Sequence, residues 1–464
     1  MEFNPVRQND IHYLASLVRP DQLSTGDSIL DLHAKDQSYH PARRPEVVIW
    51  PHNRAEVSGI LQYANSHRIP VTCWGMGTSV EGNPIPLYGG IVLDFSRMAR
   101  ILEIREADFQ ADVEPGVVYQ DLNNKLRHMG LFFPPDPGAR ATIGGMLANN
   151  ASGIRTVRYG SSRANVLRLT AVLANGEIIE TGTRASKTSS GYDLINLFVG
   201  SEGTLGILVE ATVRLRGLPE TISAVIATFP DVEAAATAVS EMKRFGVDPA
   251  SLELLSTECV EVINREKDLG LSLTPMLFIE FHEAGKAQVR EMTNMAREIC
   301  EDAGCYEFMA GIDREDRDKF LKARYELAEM IMRKHVGRTH TVIDVAVPVS
   351  AYPDMISLAR EESRKAGVPG YTFGHAGDGN LHMIFMIGTE DRKEWSAVEH
   401  VNERLVRKAL EAGGTATGEH GTGIGKRKFM KAEHGNSLGW MKKLKNLFDP
   451  NGILNPGKIF PGNI

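Results

Sequence analysis

Short continuous apolar runs alternate with segments of helical spacing near the start of the chain. Val47-Val48-Ile49-Trp50 predicts a buried strand, 53–67 a helix, and Ile69-Pro70-Val71-Thr72 the beginning of another extended piece. This strand, helix, strand order is an α/β entry. Further strands are expected at Gly90-Ile91-Val92-Leu93-Asp94 and over 109–116, with a short capped helix over 121–129. From Phe132 to about Leu215 glycine and small polar residues dominate, interrupted by one strand-turn-strand, 169–173 and 178–180, about Asn175-Gly176. That composition is expected to wrap a ligand rather than to pack a core.

After Leu218-Pro219 the pattern changes. Amphipathic helices over 232–245, 286–303 and 314–334 alternate with strands over 224–229, 276–281 and 341–347. The expected division is therefore 1–218, a second α+β domain over 219–410, and a glycine-rich closing segment over 411–464. Its turn-rich end, 448–457, is expected to dock back on the first domain. No internal repeat and no low-complexity segment is visible.

Composition narrows the class. A chain of 464 residues has room for more than one core and a large buried ligand, and 42% hydrophobic with 24% charged residues is ordinary for a globular protein. The net charge of -7 supplies no basic field for nucleic acid. Cys73, Cys259, Cys300 and Cys305 lack paired spacing, so neither a disulfide framework nor a cysteine zinc site is indicated, and a reducing cytoplasm is the simplest compartment. No stretch approaches the roughly 20 apolar residues of a membrane span, so any membrane contact is expected to be peripheral.

Candidate chemistry begins with the glycines. Gly75-Met76-Gly77-Thr78-Ser79 can bring backbone N–H groups close to an anion such as a pyrophosphate, although a tight interstrand turn would read the same way. It is not a dinucleotide GxGxxG, because Val80 stands at the third glycine position. Gly421-Thr422-Gly423-Ile424-Gly425-Lys426 is no P-loop either: His420 holds the first glycine position and Arg427 follows the lysine. Nicotinamide and nucleoside triphosphate readings lose support.

A series of motifs in one order carries more. Gly75 to Gly82 is followed by Pro134-Pro135-Asp136-Pro137-Gly138, Thr142-Ile143-Gly144-Gly145-Met146, Asn149-Asn150-Ala151-Ser152-Gly153, Arg158-Tyr159-Gly160 and Gly200-Ser201-Glu202-Gly203-Thr204-Leu205-Gly206-Ile207. The series resembles the FAD-linked oxidase family over about residues 40 to 462, most closely its cytochrome-type D-lactate dehydrogenase and glycolate oxidase branches. The resemblance implies an α+β protein: a PCMH-type two-part FAD-binding domain, shared with vanillyl-alcohol oxidase, and a ferredoxin-like α+β cap domain. It also implies FAD held by Gly75, Met76, Gly77, Thr78, Ser79, Pro135, Asp136, Thr142, Gly144, Gly145, Asn149, Ser152, Gly153, Glu202, Gly203, Ile207 and Asn455. Cys73 borders the glycine turn but reads better as a small buried residue, so the flavin is expected to be non-covalent.

In the back half, Gly374-His375-Ala376-Gly377-Asp378-Gly379-Asn380-Leu381-His382 sets two imidazoles around a turn that leads into an apolar strand, and Gly418-Glu419-His420-Gly421 adds a carboxylate and a third imidazole. Ligation of a metal through two nitrogens and one oxygen, with an open position, suits these residue types. A zinc hydrolase would use the same ligands but leaves the flavin motifs without purpose. By resemblance, His375, His382 and Glu419 hold a divalent metal, Zn or Mn. His420 is then the base that takes the hydroxyl proton while hydride passes from C2 of the substrate to flavin N5.

Arg324 matches a helix position that carries arginine in relatives, where a guanidinium would clamp the substrate carboxylate. Against this, Lys322, Arg324 and Glu326 could form a solvated helix face, and Lys322 is the neighbouring alternative cation. Relatives acting on 2-hydroxyglutarate carry lysine and asparagine where this chain has Val342 and Ile384. The resemblance then points to a small D-2-hydroxy acid, D-lactate first. Electrons are expected to leave to an external acceptor: a quinone, a cytochrome, an electron-transfer flavoprotein or an iron-sulfur subunit. A glycolate oxidase FAD subunit of a larger complex, or a non-catalytic accessory subunit, is the alternative. A homodimer and a cytoplasmic location, peripheral to a membrane at most, complete the expectation.

Overall fold

The early apolar runs become parallel strands because each is buried on both faces, where aliphatic side chains are required at every position. A computed structural model describes residues 2–312 and 314–462. It divides into two units: residues 1–152, 160–218 and 419–464 in one, and 153–159 with 219–418 in the other.

In the first unit, Val47–Ile49, Ile91–Asp94 and Val71–Trp74 lie side by side in parallel, with Leu23–Ser24 antiparallel at one edge. The crossover helix Arg54–His67 buries Val57, Ile60, Leu61 and Ala64 against them. Asn53 caps it by accepting from the N–H groups of Ala55 and Glu56, and Arg68 closes it in the left-handed conformation. The outer edge at Val71 is covered by the end of the chain: the Val71 N–H donates to Ile453 O and the Asn455 N–H to Val71 O, each at 2.8 Å.

A five-stranded antiparallel sheet, in the order Ile101–Arg105, Gln110–Val113, Ile207–Arg214, Val166–Val172, Ile178–Gly182, completes this unit. Its last two strands form the expected hairpin. Gly176 turns it at φ 84°, where a Cβ would stand 2.3 Å from Gln62 Cγ. One expectation is corrected here. The glycine-rich stretch 132–215 does pack a core: Phe133, Ile143, Met146, Leu147, Phe198 and Val199 are all buried in one cluster with the sheet. Its apolar residues are sparse in sequence but fall on inward positions.

The second unit is a seven-stranded antiparallel sheet in the order Glu307–Ile312, Thr221–Thr228, Met276–Glu283, Ser251–Leu255, Gly370–Gly374, Asn380–Gly388, Arg338–Ala346. The first four have ferredoxin-like order. The last three repeat that arrangement, and Thr415, bridged to Ala346, runs where a fourth strand would lie. The sequence shows no such repeat, because strand order is not written in residue identity. Val232–Arg244, Lys286–Asp302, Tyr352–Ala366 and Arg392–Glu411 layer against one another and the sheet. Thr257–Lys267, Arg314–Tyr325 and Leu327–Lys334 pack into a separate cluster with Ile226, Phe278, Phe373 and Ile384. The helix predicted over 314–334 is two helices, parted at Glu326, whose backbone (φ -84°, ψ 1°) opens the second and whose carboxylate pairs with Lys267.

Candidate active site

Strand register brings four polar side chains of the second unit to one sheet face. Leu254 is paired with Gly374 and Leu255 with Phe373, so the chain leaving Gly374 sets His375 beside Glu253. Phe373 is paired with His382, and His382 with Asp344. Directly opposed residues share a face, which aligns Glu253, His375, His382 and Asp344. The turn between the histidines needs its glycines. Gly379 has φ 68°, and a Cβ there would lie 2.0 Å from Val347 O.

The two imidazoles stand edge to face with ring centroids 5.2 Å apart, and they offer nitrogens within 4.8 Å of each other. Both are buried. Each is backed by a carboxylate from an adjoining strand. His375 Nδ1 lies 2.7 Å from Glu253 Oε1, and His382 Nδ1 lies 3.6 Å from Asp344 Oδ1. Asp344 also accepts from Asn380 Nδ2 at 2.8 Å and from Thr417 Oγ1 at 3.0 Å. Burial alone would push the Glu253 carboxyl up; the charges of His375 and Arg324 and the His375 hydrogen bond reverse this and hold it below the usual carboxylate range. Paired buried imidazoles with ordered backing carboxylates are the donor chemistry of a borderline divalent metal, so the residues fit the group.

Arg324 is not part of a solvated face. It is buried, donates from Nε to Glu253 Oε2 at 3.0 Å, holds Nη2 2.7 Å from the same oxygen, and lies 4.7 Å over the Phe373 ring. Lys322, with its side chain 71% exposed, is the solvated one. Val342 and Ile384 are direct cross-strand partners, two residues along from Asp344 and His382 on the same face.

In the first unit the expected flavin residues fall in three main stretches, 75–79, 135–152 and 202–207, with Asn455 near the end of the chain. Gly75, Gly77, Thr78 and Ser79 are half-buried and Met76 exposed, at the carboxyl end of the parallel strand Val71–Trp74, where open α/β sheets place ligands. Thr142 caps Ile143–Asn149, on which Gly144, Gly145 and Asn149 lie, and Ser152 follows it. Asp136, after Pro135, accepts from Tyr119 OH at 2.7 Å. In the third stretch Glu202, left-handed at φ 53°, is flanked by Gly203 and leads to Ile207 at the start of a strand. Gly153 falls in the second unit.

A hydrogen-bond network links these loops to the one carrying His420. Ser79 Oγ donates to Asn83 Oδ1, and Asn83 Nδ2 donates to Glu202 Oε2 at 2.8 Å. Glu202 Oε1 accepts the Thr422 N–H at 2.6 Å, and Oε2 the Gly423 N–H at 3.0 Å. Asn149 Nδ2 reaches His420 O at 3.5 Å, and His420 Nε2 lies 3.9 Å from Glu419 Oε1. Asn455 Nδ2 donates to Glu202 O and Asn83 O, while its Oδ1 accepts from Lys458 Nζ. Burial holds the Glu202 carboxyl above its usual range and pushes Lys458 down to about 7. The side chains of Glu202 and Asn455 are thus engaged in shaping the loops.

Sequence reasoning missed Glu253. The available signal was a lone acid in the apolar strand Leu252-Glu253-Leu254-Leu255.

The profile of FAD linked oxidases, C-terminal domain, matches residues 218–459, and that of an FAD binding domain matches residues 45–182. The chain belongs to the FAD-linked oxidase family. It is an FAD-dependent oxidoreductase of the D-lactate dehydrogenase-like kind. It is 39% identical over 448 residues to the probable mitochondrial D-lactate dehydrogenase of Danio rerio, covering 96% of this chain and 90% of that one. It is 38% identical over 421 residues to glycolate oxidase subunit GlcD of Bacillus subtilis (strain 168), covering 90% and 89%. The expected fold is confirmed by p-cresol methylhydroxylase with substrate bound, which superposes with a TM-score of 0.77 at 16% identity over 99% of this chain and 98% of that one. Among the described residues no helix is long and apolar enough to cross a membrane.

Proposed function

We propose that this FAD-linked oxidoreductase converts a small D-2-hydroxy acid, D-lactate foremost, to its 2-oxo acid and passes the electrons to an external acceptor. The observation that carries this reading is the single sheet face on which carboxylate-backed His375 and His382 meet a buried Arg324 and the aliphatic pair Val342 and Ile384. In this reading, bound FAD supplies the hydride acceptor and bound Zn or Mn the Lewis acid.

His375 and His382 would hold the metal with Glu419, which the chain carries one peptide bond beyond Gly418. Gly418 itself packs so closely that a Cβ would meet Asn380 Nδ2 at 2.2 Å. His420 takes the proton of the substrate hydroxyl. Arg324, oriented by Glu253 and Phe373, supplies the fixed positive charge that orients the substrate carboxylate. Val342 and Ile384 offer nothing to a second carboxylate, so a dicarboxylic hydroxy acid would lose the hydration of that group without compensation. The thiol of half-buried Cys73, pushed up to about 12 by desolvation, is a poor nucleophile, which supports non-covalent FAD.

A glycolate-oxidising subunit is the second reading, favoured by the similarity to the Bacillus subtilis subunit. The metal is tested by chelation. Turnover with a dye acceptor should vanish after prolonged treatment with a strong chelator, with flavin absorbance retained, and return on adding Zn or Mn. Undiminished turnover of metal-free protein would remove the metal from the mechanism.

A further inference from the structure

We propose that Glu253 is the positioning residue that fixes the tautomer of His375 and thereby sets metal affinity. This rests on the metal-binding reading above. A neutral imidazole carries one N–H, and whichever nitrogen bears it cannot ligate. The 2.7 Å contact between His375 Nδ1 and Glu253 Oε1 assigns the proton to Nδ1, because a carboxylate can only accept. In the neutral ring that a metal requires, the lone pair is then on Nε2.

The geometry makes Glu253 a dedicated holder rather than a ligand or a surface charge. It is fully buried, one oxygen faces His375, and the other accepts from Arg324 Nε, with Nη2 2.7 Å away. That guanidinium pins the carboxylate, so the imidazole is oriented by a group that cannot itself turn. His382 Nδ1 and Asp344 Oδ1 stand farther apart, at 3.6 Å. Register explains the placement, since Glu253 extends the pairing of Leu254 with Gly374 by one residue.

A stabilising role for the Glu253–Arg324 pair must be separated from the tautomer role. Replacing both charges by apolar residues of similar length, E253M/R324M, removes the buried pair without leaving one charge behind. R324M alone keeps the acceptor for His375. Apo proteins, checked for flavin content and a cooperative melt, are titrated with Zn2+ against a chromogenic chelator. R324M, which keeps the acceptor but loses the group that pins it, should bind Zn2+ less tightly than the natural protein and more tightly than E253M/R324M. E253M/R324M should bind it about 10- to 100-fold more weakly with FAD retained.

E253Q supplies the second line. Facing Arg324, the amide turns its oxygen to the guanidinium and its NH2 to His375 Nδ1, which favours the wrong tautomer. It should weaken Zn2+ as much as E253M/R324M does, and 15N shifts of labelled His375 should show the N–H moved to Nε2. Natural-protein affinity in E253M/R324M, or an unmoved tautomer in E253Q, overturns the proposal while leaving the metal reading standing. A natural protein that takes up no metal overturns both.

Discussion

His420 bears on function and Lys458 on stability. If His420 accepts the hydroxyl proton, His420→Ala should slow anaerobic flavin reduction by about 10²- to 10⁴-fold while an unreactive 2-oxo or dicarboxylate analogue binds nearly as before. Equal losses in both would assign His420 to binding alone. Lys458 is a stability matter. Its ammonium is buried, donates to Ile85 O at 2.6 Å, and titrates at about 7 rather than 10.5. Between those values the unfolded chain holds a proton that the folded one lacks, so this group makes the fold more stable as pH rises from about 7 to 10.5 and adds no further slope below. Relative to the natural protein, Lys458→Met should therefore lose ground by up to about 1.4 kcal/mol per pH unit across that window, read from denaturant midpoints. Parallel profiles would show that Lys458 titrates normally.

At the scale of elements, register is what turns a list of residues into a site. Val342 and Ile384, 42 positions apart in sequence, face each other across two strands because His382 and Asp344 do. Introducing V342K with I384N should raise the preference for D-2-hydroxyglutarate over D-lactate, measured as the ratio of their kcat/KM values. An unchanged ratio would detach this pair from substrate selection. The histidine turn was legible in the sequence, because glycines at positive φ announce themselves and leave the imidazoles conspicuous. The glycine turns of the first unit were legible for the same reason. Glu253 was not, since its partner His375 lies 122 residues away and only strand pairing joins them. Arg324 read equally well as surface or site, because the exposed Lys322 and the buried Arg324 sit two apart on one helix. The break at Glu326 was hidden by helix-forming residues on both sides, and the core of 132–215 by the glycines between its apolar positions.

At the scale of the whole molecule, family membership and an FAD binding domain account for the glycine-dense first unit, and the doubled antiparallel sheet of the second supplies the imidazole pair. A hydrolase would have no use for the first, and a simple flavin carrier none for the second. The decisive measurement is anaerobic spectral titration of the FAD-loaded protein. D-lactate should bleach the oxidised flavin band within one turnover and L-lactate should leave it intact; bleaching by both, or by neither, would contradict the assignment as a D-2-hydroxy acid dehydrogenase.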